Sequence, residues 1–261
     1  MEMFEECLKE NKDQEFLFVE RKGKWISWTW EYFATQINYF AKAVISIGVE
    51  PYQTVNILGF NSPEWFTAFM GGIYACAPPV GIYLTNNSEA CGYVTEHSAC
   101  GVLVVDSEEQ YHKYDKILGK LKSLKAIILA YEIENDEVKK LLNPYVTIYT
   151  WKDFLQLGKK ATVDLEFQRR INMQKPGNCC NVVYTSGTTG NPKAVLLSHD
   201  NITFTVRSLK ERVQSNVPDR QRVVSYLPLS HIAGQIFDIF SKFMLIFSKH
   251  VQQKLHLFCS S

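Results

Sequence analysis

The sequence predicts an α/β protein built on a parallel sheet with helices over both faces. Three observations carry this expectation. Short apolar runs of strand length alternate with longer segments whose apolar residues recur at helical spacing. Capping and breaking residues fall at the boundaries between the two kinds of segment. The chain has 261 residues, 46% of them hydrophobic, which is enough apolar material for one large core or two smaller ones.

The elements follow in order. Phe33, Ile37, Phe40, Ala41 and Val44 are spaced for a helix over 29–47, with Thr29 as its cap and Gly48 and Pro51 as its end. Thr54–Leu58 reads as a short buried strand. Asn61-Ser62-Pro63-Glu64 is a helix start with a cap, a first-turn proline and an acid facing the dipole. That helix carries Trp65, Phe66, Phe69 and Met70, all expected in the core. Pro78–Ile82 is extended, and Asn87-Ser88-Glu89 opens a helix running to about Ala99. Val102–Val105 is a strand, followed by a charged helix through Leu118 and a strand at Ala126–Leu129. Repeated strand-then-helix spacing is the mark of a parallel sheet.

Residues 131–178 are more polar; helices are expected over 134–142 and 151–157, with a strand over 146–149 between them. Asn181–Tyr184 is a strand, Thr185–Lys193 a loop, and Ala194–Leu197 a second strand. Ser198-His199-Asp200-Asn201 offers caps for the next helix. Arg222–Leu227 is a strand, and Pro228-Leu229-Ser230-His231 leads into a final apolar helix.

Charge and cysteine content narrow the function classes. Lys and Arg total 28 against 27 Asp and Glu, so the basic footprint of a nucleic-acid binder is missing and no nucleic-acid partner is expected. Seven cysteines occur without a Cys-x-x-Cys pair, and His97 and His199 have no metal-ligand spacing. Neither a disulfide framework nor a metal site is predicted. The acidic N-terminus lacks signal-peptide regions, and no stretch approaches the ~20 apolar residues of a spanning helix. A cytoplasmic location is the expectation.

The loop carries the chemistry. Gly187 and Gly190 permit close backbone approach, while Thr185, Ser186, Thr188 and Thr189 bring hydroxyl donors. The amides of such a turn can form an anion-binding nest. Pro192 holds Asn191 extended and so aims Lys193, a flexible point charge suited to phosphate oxygens. A purely structural Ser/Thr/Gly turn fits the composition about equally well. A Walker A loop is excluded, because a proline precedes the lysine and an apolar strand, not a helix, follows.

Tyr184-Thr-Ser-Gly-Thr-Thr-Gly-Asn-Pro-Lys-Ala-Val195 resembles the signature of the adenylate-forming superfamily of acyl-CoA synthetases, luciferases and peptide-synthetase adenylation domains. Tyr226-Leu-Pro-Leu-Ser-His-Ile-Ala-Gly234 resembles its second motif, on the acyl-binding side. Ile57–Phe66 and Val80-Gly-Ile-Tyr83 are similar to the bubblegum-type long-chain acyl-CoA synthetases in particular. The resemblance spans about residues 1–238.

It implies that Thr185, Ser186, Gly187, Thr188, Thr189, Gly190, Asn191, Pro192 and Lys193 bind the ATP phosphates. It further implies that Thr188, Thr189 and Lys193 act as a carboxylate attacks the α-phosphate and pyrophosphate leaves. His231 and Gly234 are implied to border the acyl pocket; without the motif, His231 reads as a passive helix-start histidine. The implied reaction activates a long-chain fatty acid with ATP and magnesium, then passes the acyl group to CoA; no residue is assigned to magnesium. The implied fold is a doubly wound αβα subdomain over 55–215, with 1–54 and 216–238 belonging to an incomplete second one.

Two departures stand out. Ala194 occupies a position where the family usually has glycine, tolerable if the backbone there is extended. After Asp238 the likeness fails and the later motifs are missing, so a shortened form is expected, one not expected to make acyl-CoA at an enzyme-like rate alone. Ile236, Phe237, Phe240, Phe243, Met244 and Phe247 are spaced as an exposed apolar patch, which adds peripheral membrane association to the expectation. Two rival readings are a non-catalytic nucleotide-binding or interaction protein derived from such an enzyme, and an adenylating enzyme for an aryl or amino acid. The bubblegum-like segments weigh against the second.

Overall fold

A computed structural model describes residues 1–131, 141, 143–185, 191–213, 222–240 and 254–256. The first elements are helix α1 (Glu2–Asn11) and the antiparallel hairpin β1 (Glu15–Arg21) and β2 (Lys24–Thr29). The hairpin turns at Lys22 and Gly23, both at positive φ (50° and 75°), the handedness that matches strand twist. Helix α2 (Trp30–Ser46) follows, with Thr29 Oγ1 accepting from Tyr32 N at 3.1 Å and Gly48 at φ +78° past its end.

The strand β3 (Thr54–Leu58) is wholly buried. Helix α3 (Pro63–Tyr74) is capped by Ser62, and Trp65, Phe66 and Phe69 lie in the core as expected. Next come β4 (Pro79–Ile82), α4 (Ser88–His97, capped by Asn87), β5 (Cys100–Val105), α5 (Glu108–His112) and β6 (Ala126–Leu129). Then β7 (Thr147–Thr150), α6 (Trp151–Lys160) and α7 (Asp164–Met173) lead to β8 (Cys179–Thr185), β9 (Lys193–Ser198) and α8 (His199–Val213). The described chain closes with β10 (Arg222–Val224), a short helix α9 (Ile232–Gly234) continuing as a π-helical turn (Gln235–Phe240), and β11 (Lys254–His256), parallel to β10.

Among the described residues, seven strands form one sheet in the order β7-β6-β5-β3-β4-β8-β9, parallel except for β9. Alternation along each strand sorts the core into two layers. Val55, Ile57, Val102, Val104, Ala126 and Ile128 face the layer holding α2, α3 and α6. Leu58, Val80, Ile82, Leu103, Val105 and Leu129 face the layer under α4. This is the α/β fold with helices on both faces. Phe40 of α2 meets Trp151 and Phe154 of α6 at ring separations of 5.6 and 5.2 Å. The two helices approach so closely that a Cβ on Gly158 would overlap the carbonyl of Tyr39.

Several expectations are corrected. The charged helix through Leu118 is a single short helix ending at His112, then turns and a 3-10 turn at Leu118–Lys120. Tyr114 is drawn fully under α4, its hydroxyl 3.0 Å from Thr95 Oγ1, and Lys113 Nζ donates to Leu84 O, so tertiary anchors override the helical spacing. The strand from Arg222 stops at Val224 because Asn61 captures the backbone beyond it. Ile236 and Phe240 are buried rather than exposed, Phe240 standing edge-on to Phe69 at 5.8 Å, while Phe237 is half exposed. Phe243, Met244, Phe247 and nearly all of the helix expected over 134–142 lie outside the described residues. No helix among the described residues is long and apolar enough to cross a membrane. Six cysteines are described, none of them in a disulfide, and burial pushes the thiols of Cys7, Cys100 and Cys180 up to about 12.

Candidate functional site

The strand β8 runs beside β4 in the parallel sense, so its carboxyl end lies at the same edge of the sheet as those of β3 to β6. In open α/β sheets this edge is where ligands bind. Here the chain does not cross over into a helix. It returns antiparallel as β9, making the segment between them a hairpin loop. Thr185, the last residue of β8, stands opposite Lys193, the first of β9, and both are exposed.

Of the loop residues singled out from sequence, Thr185, Asn191, Pro192 and Lys193 are therefore placed around the mouth of one hairpin. Ser186, Gly187, Thr188, Thr189 and Gly190 lie outside the described residues. Ala194 pairs with Tyr184 within the ladder and is not among the residues at positive φ. The backbone there is extended, and alanine in place of glycine carries no strain.

Beneath the rung, Tyr184 turns its side chain into the layer under α4, where it is 3% exposed. Its hydroxyl meets His97 Nδ1 at 2.7 Å, and burial pushes the phenol up to about 12.

The second motif sits directly over β4. A Cβ on Gly81 would lie 2.5 Å from Ser230 Cα, so only glycine lets this backbone approach. Gly81 is paired with Val183, two residues before Thr185, which puts the second motif next to the strand that feeds the loop. His231 caps its own helix: Ala233 N donates to His231 Nδ1 at 3.1 Å, and the ring is exposed. Gly234 has a packing reason to be glycine, since a Cβ would fall 2.6 Å from Pro228 O.

Buried polar bonds tie the second motif to β8 and to Asn61. Asn181 Nδ2, in β8, donates to Gln235 Oε1 at 2.6 Å, and Gln235 Nε2 donates to Leu229 O at 2.9 Å. Asn61 Nδ2 donates to Ser225 Oγ and Leu227 O, each at 2.8 Å, and Asn61 Oδ1 accepts from Leu229 N at 3.0 Å. Ser225 Oγ donates to Asp238 Oδ2 at 2.7 Å. None of Asn61, Asn181, Gln235 or Asp238 stood out as a site residue in the sequence. The available signal was a polar residue inside an apolar run, as Asn181 is before Val182 and Val183.

Among the described residues, no three His, Cys, Asp or Glu side chains converge on a point that could hold a metal ion. Magnesium is therefore assigned to none of them. The exposed hydroxyl and ammonium of Thr185 and Lys193 are a donor set that fits an anion.

The matching family is described as AMP-binding enzyme, and the match covers residues 4–252. It runs past Asp238, so reading motifs alone sets the end of the likeness too early. The chain is 42% identical over 240 residues to long-chain-fatty-acid–CoA ligase ACSBG2 of Xenopus laevis, covering 91% of this chain and 31% of that protein. It is 39% identical to ACSBG1 of Mus musculus, covering 92% of this chain and 32% of that one. The chain thus spans about a third of the length of the curated relatives it matches. Among solved structures, the anthranilate CoA ligase AuaEII with anthranoyl-AMP superposes with a TM-score of 0.77 at 21% identity, over 100% of this chain and 45% of that one. The fatty acyl-adenylate ligase of L. pneumophila, with acyl adenylate and pyrophosphate, gives 0.68 at 16% identity, over 98% and 39%. These structural likenesses show the fold.

Proposed function

The chain belongs to the AMP-binding enzyme family, and from that premise we propose that it is the phosphate-binding portion of a ligase that activates long-chain fatty acids. The observation that carries this reading is the Thr185–Lys193 rung at the carboxyl edge of the sheet, closing a hairpin loop rich in glycine and hydroxyl residues.

In this reading Lys193 meets phosphate oxygens, and the hydroxyls of Thr185, Ser186, Thr188 and Thr189 donate to them. A carboxylate oxygen attacks the α-phosphorus of ATP, the bond to the β-phosphate oxygen breaks, and pyrophosphate leaves with the electron pair. Donors fixed at the loop stabilise the charge that gathers on the departing group. The acyl-adenylate then loses AMP to the thiol of CoA; none of the described residues is assigned to that second step. His231 and Gly234 are proposed to border the acyl side, next to β8. The choice of long-chain fatty acid over an aryl or amino acid rests on the sequence relatives, named long-chain-fatty-acid–CoA ligases.

The test is titration of the purified chain with ATP, competition by pyrophosphate, and separate assays of pyrophosphate release and thioester formation with a long-chain fatty acid. Saturable ATP binding displaced by pyrophosphate is expected. Absence of saturable binding overturns the reading.

A further inference from the structure

His97 is the last residue of α4, and its ring stacks on Tyr93 one turn earlier, with centroids 5.2 Å apart and planes 24° from parallel. That stack leaves Nδ1 facing Tyr184 Oη at 2.7 Å, with the two rings edge-on at 5.8 Å. Tyr184 is buried among apolar side chains, where a hydroxyl without a partner is costly. The His97 bond, together with Ser98, which also interacts with this hydroxyl, holds the Tyr184 ring in place. Tyr184 is also the last buried residue before the loop and pairs with Ala194 on the rung beneath Thr185 and Lys193. Any shift of Tyr184 is passed directly to both ends of the loop through one ladder step.

We infer that His97 is a positioning residue for the phosphate loop, acting through Tyr184 to hold the Thr185–Lys193 rung in register. The inference rests on the loop's binding phosphate, as proposed for this chain. It gives α4 a part in the site through Tyr184.

The test measures ATP affinity and the thermal unfolding midpoint for six variants of the whole chain. His97→Phe keeps a ring and removes the nitrogen, and Tyr184→Phe removes only the hydroxyl. Each is expected to weaken ATP binding about three- to tenfold, the scale of one hydrogen bond. The double variant should be no weaker than Tyr184→Phe alone, because that variant already deletes the His97 contact. His97→Asn, which can place an oxygen or an N–H near the position of Nδ1, should restore part of the affinity.

Val94→Ala serves as the control for general loosening of α4. It removes a buried side chain from the same helix without touching the bond, and should lower the midpoint while leaving ATP affinity within twofold. Lys193→Ala tests the underlying reading. If Lys193→Ala weakens binding but His97→Phe and Tyr184→Phe do not, the positioning role is wrong and the phosphate reading stands. Additive losses in the double variant, or an equal loss in Val94→Ala, also overturn the role. If the unaltered chain does not bind ATP, both fall together.

Discussion

Thr185 and Lys193 face each other across the last rung of the β8–β9 ladder, fixing the two ends of the loop at strand-pair spacing. A cation held at that mouth acts on an anion in the loop at close range. Lys193→Ala is expected to weaken ATP binding about ten- to hundredfold, from the roughly 1.5–3 kcal/mol of a charge-assisted hydrogen bond. Isothermal titration with ATP checks it; an unchanged dissociation constant removes Lys193 from the site.

Asn61 both donates to and accepts from the segment 225–229, and it is 3% exposed. Asn61→Ala leaves two carbonyls and an amide of that segment with a lost partner. A stability loss of about 2–4 kcal/mol is expected in denaturant unfolding. A loss below about 0.5 kcal/mol, the range of ordinary surface substitutions, would show that water replaces Asn61 without cost.

Gly81→Ala presses a methyl group against the backbone of Ser230 rather than against a flexible side chain. Overpacking of this kind costs about 1–3 kcal/mol. Amide exchange in 229–234 should quicken more than in β5, which lies beyond β3 from the contact. Equal protection in both regions would count against the close approach.

His199 supplies a pH dependence. Burial, and next the positive amino terminus, lower its pKa from the ordinary 6.5 to about 4, while Nε2 is 3.0 Å from Gln174 Oε1. The folded chain thus binds a proton less readily than the unfolded one. Its contribution is fully present above about pH 6.5 and is lost as pH falls toward 4. His199→Gln should reduce proton uptake on unfolding at pH 5 by up to about one. Calorimetry in buffers of different ionisation heat reads this, and an unaltered uptake would place the histidine in solvent.

Much of the fold was legible because local rules and tertiary burial agree in it. Thr54–Leu58 and Ala126–Leu129 are strands residue for residue, being short apolar runs between breakers. Ser62-Pro63 starts α3 as the capping chemistry requires. Helix α7 was not legible, since its outward Leu165 is 91% exposed and an inward position is an arginine. Arg170 is buried by donating to Ala75 O and Glu166, which no apolar periodicity reveals. The hairpin β1–β2 escaped because its turn is Lys-Gly rather than Asn-Gly. In the site, composition left the loop's role open, and the long motif from Tyr184 to Val195 is what singled it out. The role of Asn61 was not legible, because its partners lie more than a hundred and sixty residues away and the local pattern offers it only as a helix-start residue.

The returning strand β9 also sets an order of assembly. The β8–β9 hairpin joins neighbours in sequence and closes cheaply, whereas seating β8 against β4 brings Val182 to Val80, about a hundred residues earlier. As the chain emerges from the ribosome, β3 to β7 can associate while the flank of β4 still waits, its amides and carbonyls open to a wrong strand. Conditions that slow the last docking step would therefore raise aggregation without altering the folded state, and a short peptide copying β8 should compete for that flank during refolding.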